Sequence, residues 1–402
     1  MAWLIELGKA ILLALVIFTY LAVVGAMLGV YMERKISGWI QARLGPKHVG
    51  PQGLLQTIAD TVKLLQKEHI VPRHADALIF NSAPVIVAVV GLLDWVVIPF
   101  GKIRDTVLVV RDINIGVLYF AAMSSLMVVG ILAAGWSSNN KYALLGGLRS
   151  ASQMVSYEIP LAMGILWVAM AAGTLSTVGI VEAQAKQGGW FAFLLPLDIE
   201  PFFLRVLVSA PFGLLAALTF LTAATAEVNR VPFDLPEAES ELVAGYFAEY
   251  TGMRFALFQL GEYGEMFGMA AVAAILFFGG WLEPGLPAWL WLAIGVAALF
   301  VAVLIVASGV ARDLVVRPIL MMAMLTAILG VIMFLRAGHS PVLPSPVWFF
   351  AKMFALVFFL MWMRWTYPRL RLDQLLNLSW KVLLPVGLLN LLVTGFLITI
   401  AR

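Results

Sequence analysis

Acidic residues are concentrated in one stretch of the chain, where their spacing is typical of proton-sharing chemistry. Residues 227–265 hold eight of the 23 acids in the sequence, and only Arg230 and Arg254 oppose them. The eight acids are Glu227, Asp234, Glu237, Glu239, Glu241, Glu249, Glu262 and Glu265. Carboxyl groups this close in sequence share protons and titrate as a group when they are buried. A solvated acidic loop is the alternative, although apolar residues such as Phe233 and Tyr246 interleave with the acids.

A second set of charged residues occupies the segment 33–76, which follows the first apolar run. It opens with Glu33, Arg34 and Lys35 and continues through Arg43. A helical projection of residues 52–69 places Leu54, Leu55, Ile58, Val62 and Leu65 on one face and Gln56, Asp60, Lys63 and Lys67 on the other. This pattern predicts an amphipathic helix in the membrane interface. A plain anchor beside a positively charged flank is the alternative interpretation.

Charged residues inside apolar runs are few and therefore informative. Four carboxyls lie near the same end of their predicted spans: Glu158, Glu227, Glu262 and Glu265. Together they predict a polar path into the membrane, although Glu265 is better interpreted as a residue that snorkels from a helix end. Asp94 and Lys352 are interpreted as a structural ion pair, or as residues that each face a neighbouring subunit.

The composition requires that these elements lie in a membrane. Of the 402 residues, 62% are hydrophobic and 12% are charged, against about 25% charged in soluble chains. The mean hydropathy is +0.97. The sequence has no cysteine, which excludes disulfides and thiolate-held clusters in this chain. The four histidines share no short motif, so no metal site is expected, and the net charge of +3 is too small and scattered to predict nucleic acid binding.

Apolar runs predict an all-α integral membrane protein with about ten spanning helices. The runs are 8–32, 77–99, 115–136, 158–180, 203–227, 262–282, 288–310, 318–335, 346–363 and 381–400. The seventh and eighth are separated only by residues 311–317, which predicts a tight hairpin. No linker divides the chain, so residues 1–402 are expected to form a single membrane domain.

The distribution of Lys and Arg predicts the orientation. The loops after spans one, three, five, seven and nine hold 17 of the 26 basic residues. By the positive-inside rule these loops are cytoplasmic, and both termini lie on the outer side. The basic stretch 364–381 is interpreted as a stop-transfer flank of the ninth span.

Several loop motifs together resemble a known family. They are Glu33-Arg34-Lys35, the run Gln-Ala-Arg-Leu-Gly-Pro at 41–46, the run 50–56, Ser156-Tyr157-Glu158, the run 227–250, the run 367–374 and Trp380-Lys381. The sequence is similar, over residues 1–283 and 341–402, to the H subunit of the proton-pumping NADH:quinone oxidoreductase, respiratory complex I. The run 229–245 is the most specific of these motifs.

The resemblance implies a protein that helps to bind quinone where the hydrophilic and membrane arms of the complex meet, and that couples electron transfer from NADH to proton translocation. Quinone is then a substrate, and this chain carries no redox centre and no catalytic residue of its own. FMN and iron–sulfur clusters are expected only in partner subunits. The implied partners are soluble iron–sulfur and quinone-site subunits, small membrane subunits and antiporter-like subunits, in a bacterial inner membrane with periplasmic termini.

The family's functional residues can be carried onto matching positions. The quinone chamber and its entry are expected to involve Glu33, Arg34, Arg43, Asp60, Lys63, Arg230, Phe233 and Asp234. The acidic cytoplasmic coupling loop, 227–262, is expected to act through Glu237, Glu239 and Glu241. The proton path is expected to use Glu158, Glu227 and Glu262.

One large departure is a segment at 284–340, interpreted as an inserted two-helix hairpin added to a family core of eight spans. Lys47 and Leu372 are smaller departures from the family's pattern, and neither removes a carboxylate. Two alternatives remain open. The chain is also similar to the corresponding subunit of membrane-bound hydrogenases or other-donor dehydrogenases, and an independent proton-coupled transporter is a weaker alternative because no inverted repeat is visible.

Overall fold

The computed structural model describes residues 27–103, 106–197, 200, 202–235, 244–283, 288–307, 324 and 344–400. Seven helices in this part of the chain are long and apolar enough to cross a membrane. They correspond to seven of the predicted spans, so the prediction of a multi-pass, all-α membrane protein is confirmed. The first and eighth predicted spans, 8–32 and 318–335, lie almost wholly outside the described residues.

The longer elements are helices numbered here in chain order. They are α1 (Gly29–Ile40), α2 (Gln56–Gln66), α3 (Ala77–Leu93), α4 (Gly116–Ser137), α5 (Lys141–Ala172), α6 (Thr177–Gln187), α7 (Phe202–Glu227), α8 (Met253–Phe277), α9 (Ala288–Ala307), α10 (Ser345–Thr366), α11 (Leu372–Leu378) and α12 (Leu384–Ile400). A π-helical turn, Ser379–Leu383, joins α11 to α12, so the last membrane helix is continuous over Leu372–Ile400. A two-stranded antiparallel ribbon, β1 (Gly101–Ile103) and β2 (Thr106–Leu108), follows α3.

Helix α8 lies at the centre of the bundle. In its most apolar window 94% of the residues are buried by the protein itself, whereas the other six spans have 22–56% buried. The remaining helices therefore expose apolar faces, and in a membrane these faces contact lipid. Helix α8 packs against α3, α10 and α7. Glu262 and Glu265, which lie on it, are therefore buried by protein.

Glycine allows α3 and α8 to approach closely. A Cβ atom on Gly91 of α3 would lie 3.0 Å from the carbonyl oxygen of Gly261 of α8, and one on Gly261 would lie 2.6 Å from Val87 Cγ1. Small residues at helix interfaces in membranes permit such backbone contact. The indole nitrogen of Trp95 also donates to the Gly264 carbonyl oxygen at 3.3 Å. Residue numbers rise together along the contact, so the two helices run parallel.

Two predicted spans are displaced from the observed helices. Helix α5 runs over Lys141–Ala172 instead of 158–180, because the Asn140 side chain caps its start and Gly173, at φ 72°, ends it. Helix α8 begins at Met253 instead of residue 262. In both cases the early turns carry polar residues that pack against protein, which a hydropathy pattern does not reveal. Glu158 and Glu262 consequently lie within their helices and not at the ends.

Candidate functional site

A cavity of about 510 Å³ lies between α1, α8, α10 and the loop that follows α7. Its charged and polar lining consists of Glu33, Arg34, Ser37, Arg43, Arg230, Gln259, Glu262, Tyr263 and Arg364. Its apolar lining consists of Val30, Ala244, Phe247, Phe255 and Trp365. The lining of the cavity therefore combines ionic groups with aromatic side chains, as a site for an amphipathic ligand requires.

Glu33 is the centre of the ionic groups. Arg230 Nη1 lies 3.2 Å from Glu33 Oε2, and the Arg364 guanidinium donates to Oε1. The Tyr263 hydroxyl donates to Oε2 at 2.6 Å. Burial raises the pKa of Glu33, but the charges of Arg230 and Arg364 and the hydrogen bond from Tyr263 outweigh it, so the pKa lies below its ordinary value. The carboxylate is therefore ionised at neutral pH, with two arginines around it.

The remaining lining residues on α1 connect the cavity to α2. Arg34 Nη1 donates to Asp60 Oδ2 at 2.5 Å, and Gln56 Nε2 donates to Asp60 Oδ1 at 3.1 Å. Asp60 thus holds α2 beside the mouth of the cavity without lining it. Lys63 lies on the exposed side of the last turn of α2 and contributes nothing to the lining.

The start of the loop after α7 forms a wall behind the cavity. Gln153 of α5 donates to the Ala226 carbonyl oxygen at 2.6 Å and to the Phe233 carbonyl oxygen at 2.7 Å. Asp234 is buried and accepts from Arg369 Nη2 at 3.2 Å. Burial raises the pKa of Asp234 above its ordinary value, although the charge of Arg369 opposes this shift. Phe233 and Asp234 fix the loop and do not line the cavity.

The predicted coupling residues Glu237, Glu239 and Glu241 lie outside the described residues. Glu249, later in the same segment, accepts from Asn140 Nδ2 at 2.7 Å.

The carboxyls predicted for the proton path begin at the cavity. Glu262 lines it and accepts from the Tyr246 hydroxyl at 2.7 Å. Glu227 is buried at the end of α7, beside the hydroxyl of Ser124. Glu158 of α5 accepts from the Ser125 hydroxyl at 2.6 Å. Two adjacent serines of α4 therefore lie next to Glu227 and Glu158.

Two interpretations made from the sequence are wrong. Lys352 forms no ion pair with Asp94, because its ammonium donates to the carbonyl oxygens of Phe278, Gly280 and Leu282 at 2.6–3.0 Å. Those carbonyls follow the end of α8, where a cation is favoured. Asp94 is wholly buried and therefore cannot face another subunit. Glu265 is 1% exposed and does not snorkel.

Sequence reasoning missed several residues of the cavity, among them Arg364, Tyr263 and Trp365. Arg364 was interpreted as part of a positively charged flank, yet it binds Glu33 from the end of α10. Tyr263 and Trp365 were not singled out, although Tyr263 follows Glu262 directly. Within the described part of the chain, no group of three or more His, Cys, Asp and Glu side chains is arranged to hold a metal ion.

Fold and cavity define a polytopic membrane protein with a buried ionic site that opens among apolar helices. A family model described as NADH dehydrogenase matches residues 12–317 and 308–395. The first of the NADH-quinone oxidoreductase H subunits of Koribacter versatilis (strain Ellin345) is 44% identical over 404 residues, covering 95% of this chain and 90% of its own length. The H subunit of the same enzyme from Brevibacillus brevis (strain 47) is 42% identical, covering 92% and 88%. The second H subunit of Solibacter usitatus (strain Ellin6076) is 41% identical, covering 96% and 95%.

The chain therefore belongs to the family of NADH-quinone oxidoreductase H subunits.

Proposed function

We propose that this chain is the quinone-chamber subunit of a proton-translocating NADH:quinone oxidoreductase. The observation that carries the proposal is the cavity in which Glu33, Arg230 and Arg364 meet beneath the aromatic walls of Phe247 and Trp365. A quinone has a polar head and a long apolar tail, and a site for it needs ionic or hydrogen-bonding groups at one end and an apolar approach at the other. This chain belongs to a family whose members bear the name of that enzyme.

The ionic groups suit the head group of a quinone. Arg230 and Arg364 offer N–H donors to carbonyl oxygens, and Glu33 holds both guanidiniums in place. Exposed apolar residues on α2, including Ile58, Val62 and Leu65, supply a surface for the membrane interface near the cavity. Ubiquinone and menaquinone both satisfy these requirements.

Reduction of quinone to quinol consumes two electrons and two protons. The chain has no cysteine to hold an iron–sulfur cluster, and in this proposal FMN and the clusters belong to soluble partner subunits. Glu262 lines the cavity, and Glu227 and Glu158 continue away from it, so a change of charge on the quinone acts on these carboxyls electrostatically. That coupling is the proposed route from electron transfer to proton translocation.

The remaining assignments place the chain in the bacterial inner membrane. Segment 33–76 and the coupling loop 227–262 face the cytoplasm and the soluble subunits, and both termini face the periplasm. The other faces contact lipid, small membrane subunits and antiporter-like subunits. The hairpin at 284–340 adds lipid-facing or subunit-facing surface to a single membrane domain.

Substitution of Arg230 in the assembled enzyme tests this function. Arg230→Ala leaves Glu33 with one arginine, so NADH:quinone reductase activity should fall strongly while reduction of an artificial acceptor by the flavin site is unchanged. Arg111→Ala is the matched control for loss of one positive charge, because Arg111 is exposed and does not line the cavity. Equal quinone reductase activity in both variants would show that the cavity is not the quinone chamber. Purification of this chain alone, active in transport and without soluble flavin and iron–sulfur subunits, would overturn the proposal altogether.

A further inference from the structure

Two buried carboxyls lie outside the proton path that the family resemblance implies, since Asp94 was interpreted as half of an ion pair and Glu265 as a snorkelling residue. Asp94 is 0% exposed and Glu265 is 1% exposed, and none of their four oxygen atoms has a hydrogen-bond partner among the described residues. No cation lies against either of them in that part of the chain. A carboxylate buried in this way is very costly when it is ionised. Each group therefore holds a proton when the other acids nearby are charged.

Backbone packing brings the two carboxyls together. Gly91 of α3 contacts Gly261 of α8, and Asp94 and Glu265 lie about one turn further along these parallel helices. The hydrogen bond from Trp95 to the Gly264 carbonyl oxygen fixes this register. A Cβ atom on Gly268, the next glycine of α8, would lie 3.9 Å from Asp94 Cβ. The glycine contact between α3 and α8 thus also places the two carboxyls near each other.

Glu227 of α7 completes the group, and Glu262 connects it to the cavity. The charge of Glu265 interacts with those of Glu227, Asp94 and Glu262, and the charge of Asp94 interacts with that of Glu227. Glu262 and Glu265 are three residues apart on α8 and therefore lie on the same side of that helix. Glu227 in turn interacts with Glu158. Carboxyls that interact electrostatically with one another are therefore found from the cavity, at Glu262, to α5, at Glu158.

We propose that Asp94 and Glu265 belong to the proton path, and that with Glu227 they form a carboxyl cluster that takes up and releases protons as quinone is reduced. The cluster is contributed by α3, α7 and α8. The ligand that this proposal assigns to the cluster is a proton. This inference rests on the proposed function, because quinone reduction is the event that changes the charge at Glu262. No covalent bond is formed or broken apart from the O–H bonds of the carboxyls.

Amide substitutions separate a proton-carrying role from a structural one. Asp94→Asn and Glu265→Gln keep the shape of a neutral carboxyl and its lack of charge, and they remove only the ability to release a proton. In membrane vesicles containing the whole enzyme, we expect each to lower quinone-linked proton translocation by about tenfold or more. Reduction of an artificial acceptor should remain unchanged. Ser209→Ala is the control, since Ser209 is also buried, lies on α7 and has no partner for its hydroxyl among the described residues.

Carboxyl-retaining variants provide the second measurement. Asp94→Glu and Glu265→Asp should restore translocation and should shift carboxylic acid bands in the infrared difference spectrum between oxidised and NADH-reduced enzyme. Ser209→Ala should leave those bands in place. Full translocation in both amide variants, or a spectrum that neither carboxyl-retaining variant alters, would overturn the inference. Arg230→Ala, measured in parallel, reports on the chamber alone, so failure of the proposed function is distinguishable from failure of the cluster.

Discussion

The hydroxyl of Tyr263 donates a hydrogen bond of 2.6 Å to Glu33 and so joins the central helix α8 to α1. The guanidinium of Arg230 lies over the ring of the same tyrosine, 4.6 Å from its centroid. Tyr263 therefore positions both members of an ion pair that lines the cavity. Its neighbour Glu262 also lines the cavity, so one turn of α8 contributes both to the ionic groups at Glu33 and to the proposed proton path.

Tyr263→Phe removes the hydrogen bond and keeps the ring beneath Arg230. A hydrogen bond to a charged group contributes about 1.5–3 kcal/mol, and its loss should lower quinone reductase activity by roughly tenfold or more. Steady-state kinetics with a short-chain quinone measure this effect, with artificial-acceptor reduction as the internal reference. Tyr250→Phe is a matched control, because Tyr250 is buried and its hydroxyl shares a hydrogen bond with that of Ser137, but it does not line the cavity. A Tyr263→Phe enzyme with the activity of the control would show that Glu33 needs no support from α8.

Arg364→Gln tests whether the charge of Arg364 lowers the pKa of Glu33, and the pH profile of quinone reduction is the measurement. The charges of Arg230 and Arg364 hold the pKa of Glu33 below its ordinary value, so the carboxylate stays ionised as pH falls to that lowered pKa. Without Arg364 the pKa should rise, and Glu33 should take up a proton at a higher pH. The acid limb of the pH profile of quinone reduction should therefore move to higher pH in the variant. An unmoved acid limb would mean that protonation of Glu33 does not limit the reaction.

The ion pair between Arg34 and Asp60 should contribute little to stability. Both side chains are substantially exposed, at 47% and 33%, and exposed pairs contribute about 0.2–1 kcal/mol. A double-mutant cycle of Arg34→Ala and Asp60→Ala, read out as thermal inactivation of quinone reductase activity, measures the coupling energy. We expect a small coupling that decreases further at high salt. A coupling several times larger would indicate that the pair is desolvated in the assembled enzyme.

The contact between α3 and α8 should not tolerate a methyl group at Gly261. A Cβ atom there would lie 2.6 Å from Val87 Cγ1 and 2.9 Å from the Val87 carbonyl oxygen, closer than van der Waals contact allows. Gly261→Ala should reduce the amount of this subunit incorporated into the enzyme, measured by native gel electrophoresis of membranes. Gly264→Ala, one turn away, meets its nearest atom at 3.5 Å and should assemble normally. Equal assembly of the two variants would contradict the close approach.

Hydropathy predicted the approximate position of the seven described spans because length and apolarity are what a bilayer requires. It failed where a helix is polar on a side that faces protein. The early turns of α5 carry buried Ser150 and Gln153, so the span was placed too late. Motif resemblance identified Glu33, Arg34, Arg43 and Arg230 as candidates, and all four line the cavity.

Contacts between residues that are far apart in the sequence could not be predicted. Arg364 lies 331 residues from Glu33, and no local pattern joins them. The same is true of Asp94, whose burial follows from a glycine contact between α3 and α8 and not from any property of its own sequence neighbours. Charged residues inside membrane helices can be recognised from sequence, but their partners depend on which helices are adjacent.

The ammonium of Lys352 has a consequence for the position of the central helix. It binds three turn carbonyls after α8, at Phe278, Gly280 and Leu282, and lies 4.6 Å from the ring centroid of Trp190. Lys352 therefore anchors the end of α8 to α10. The segment 284–340 begins directly beyond these carbonyls. A change of length in that segment should therefore leave Glu262 and Glu265 in place.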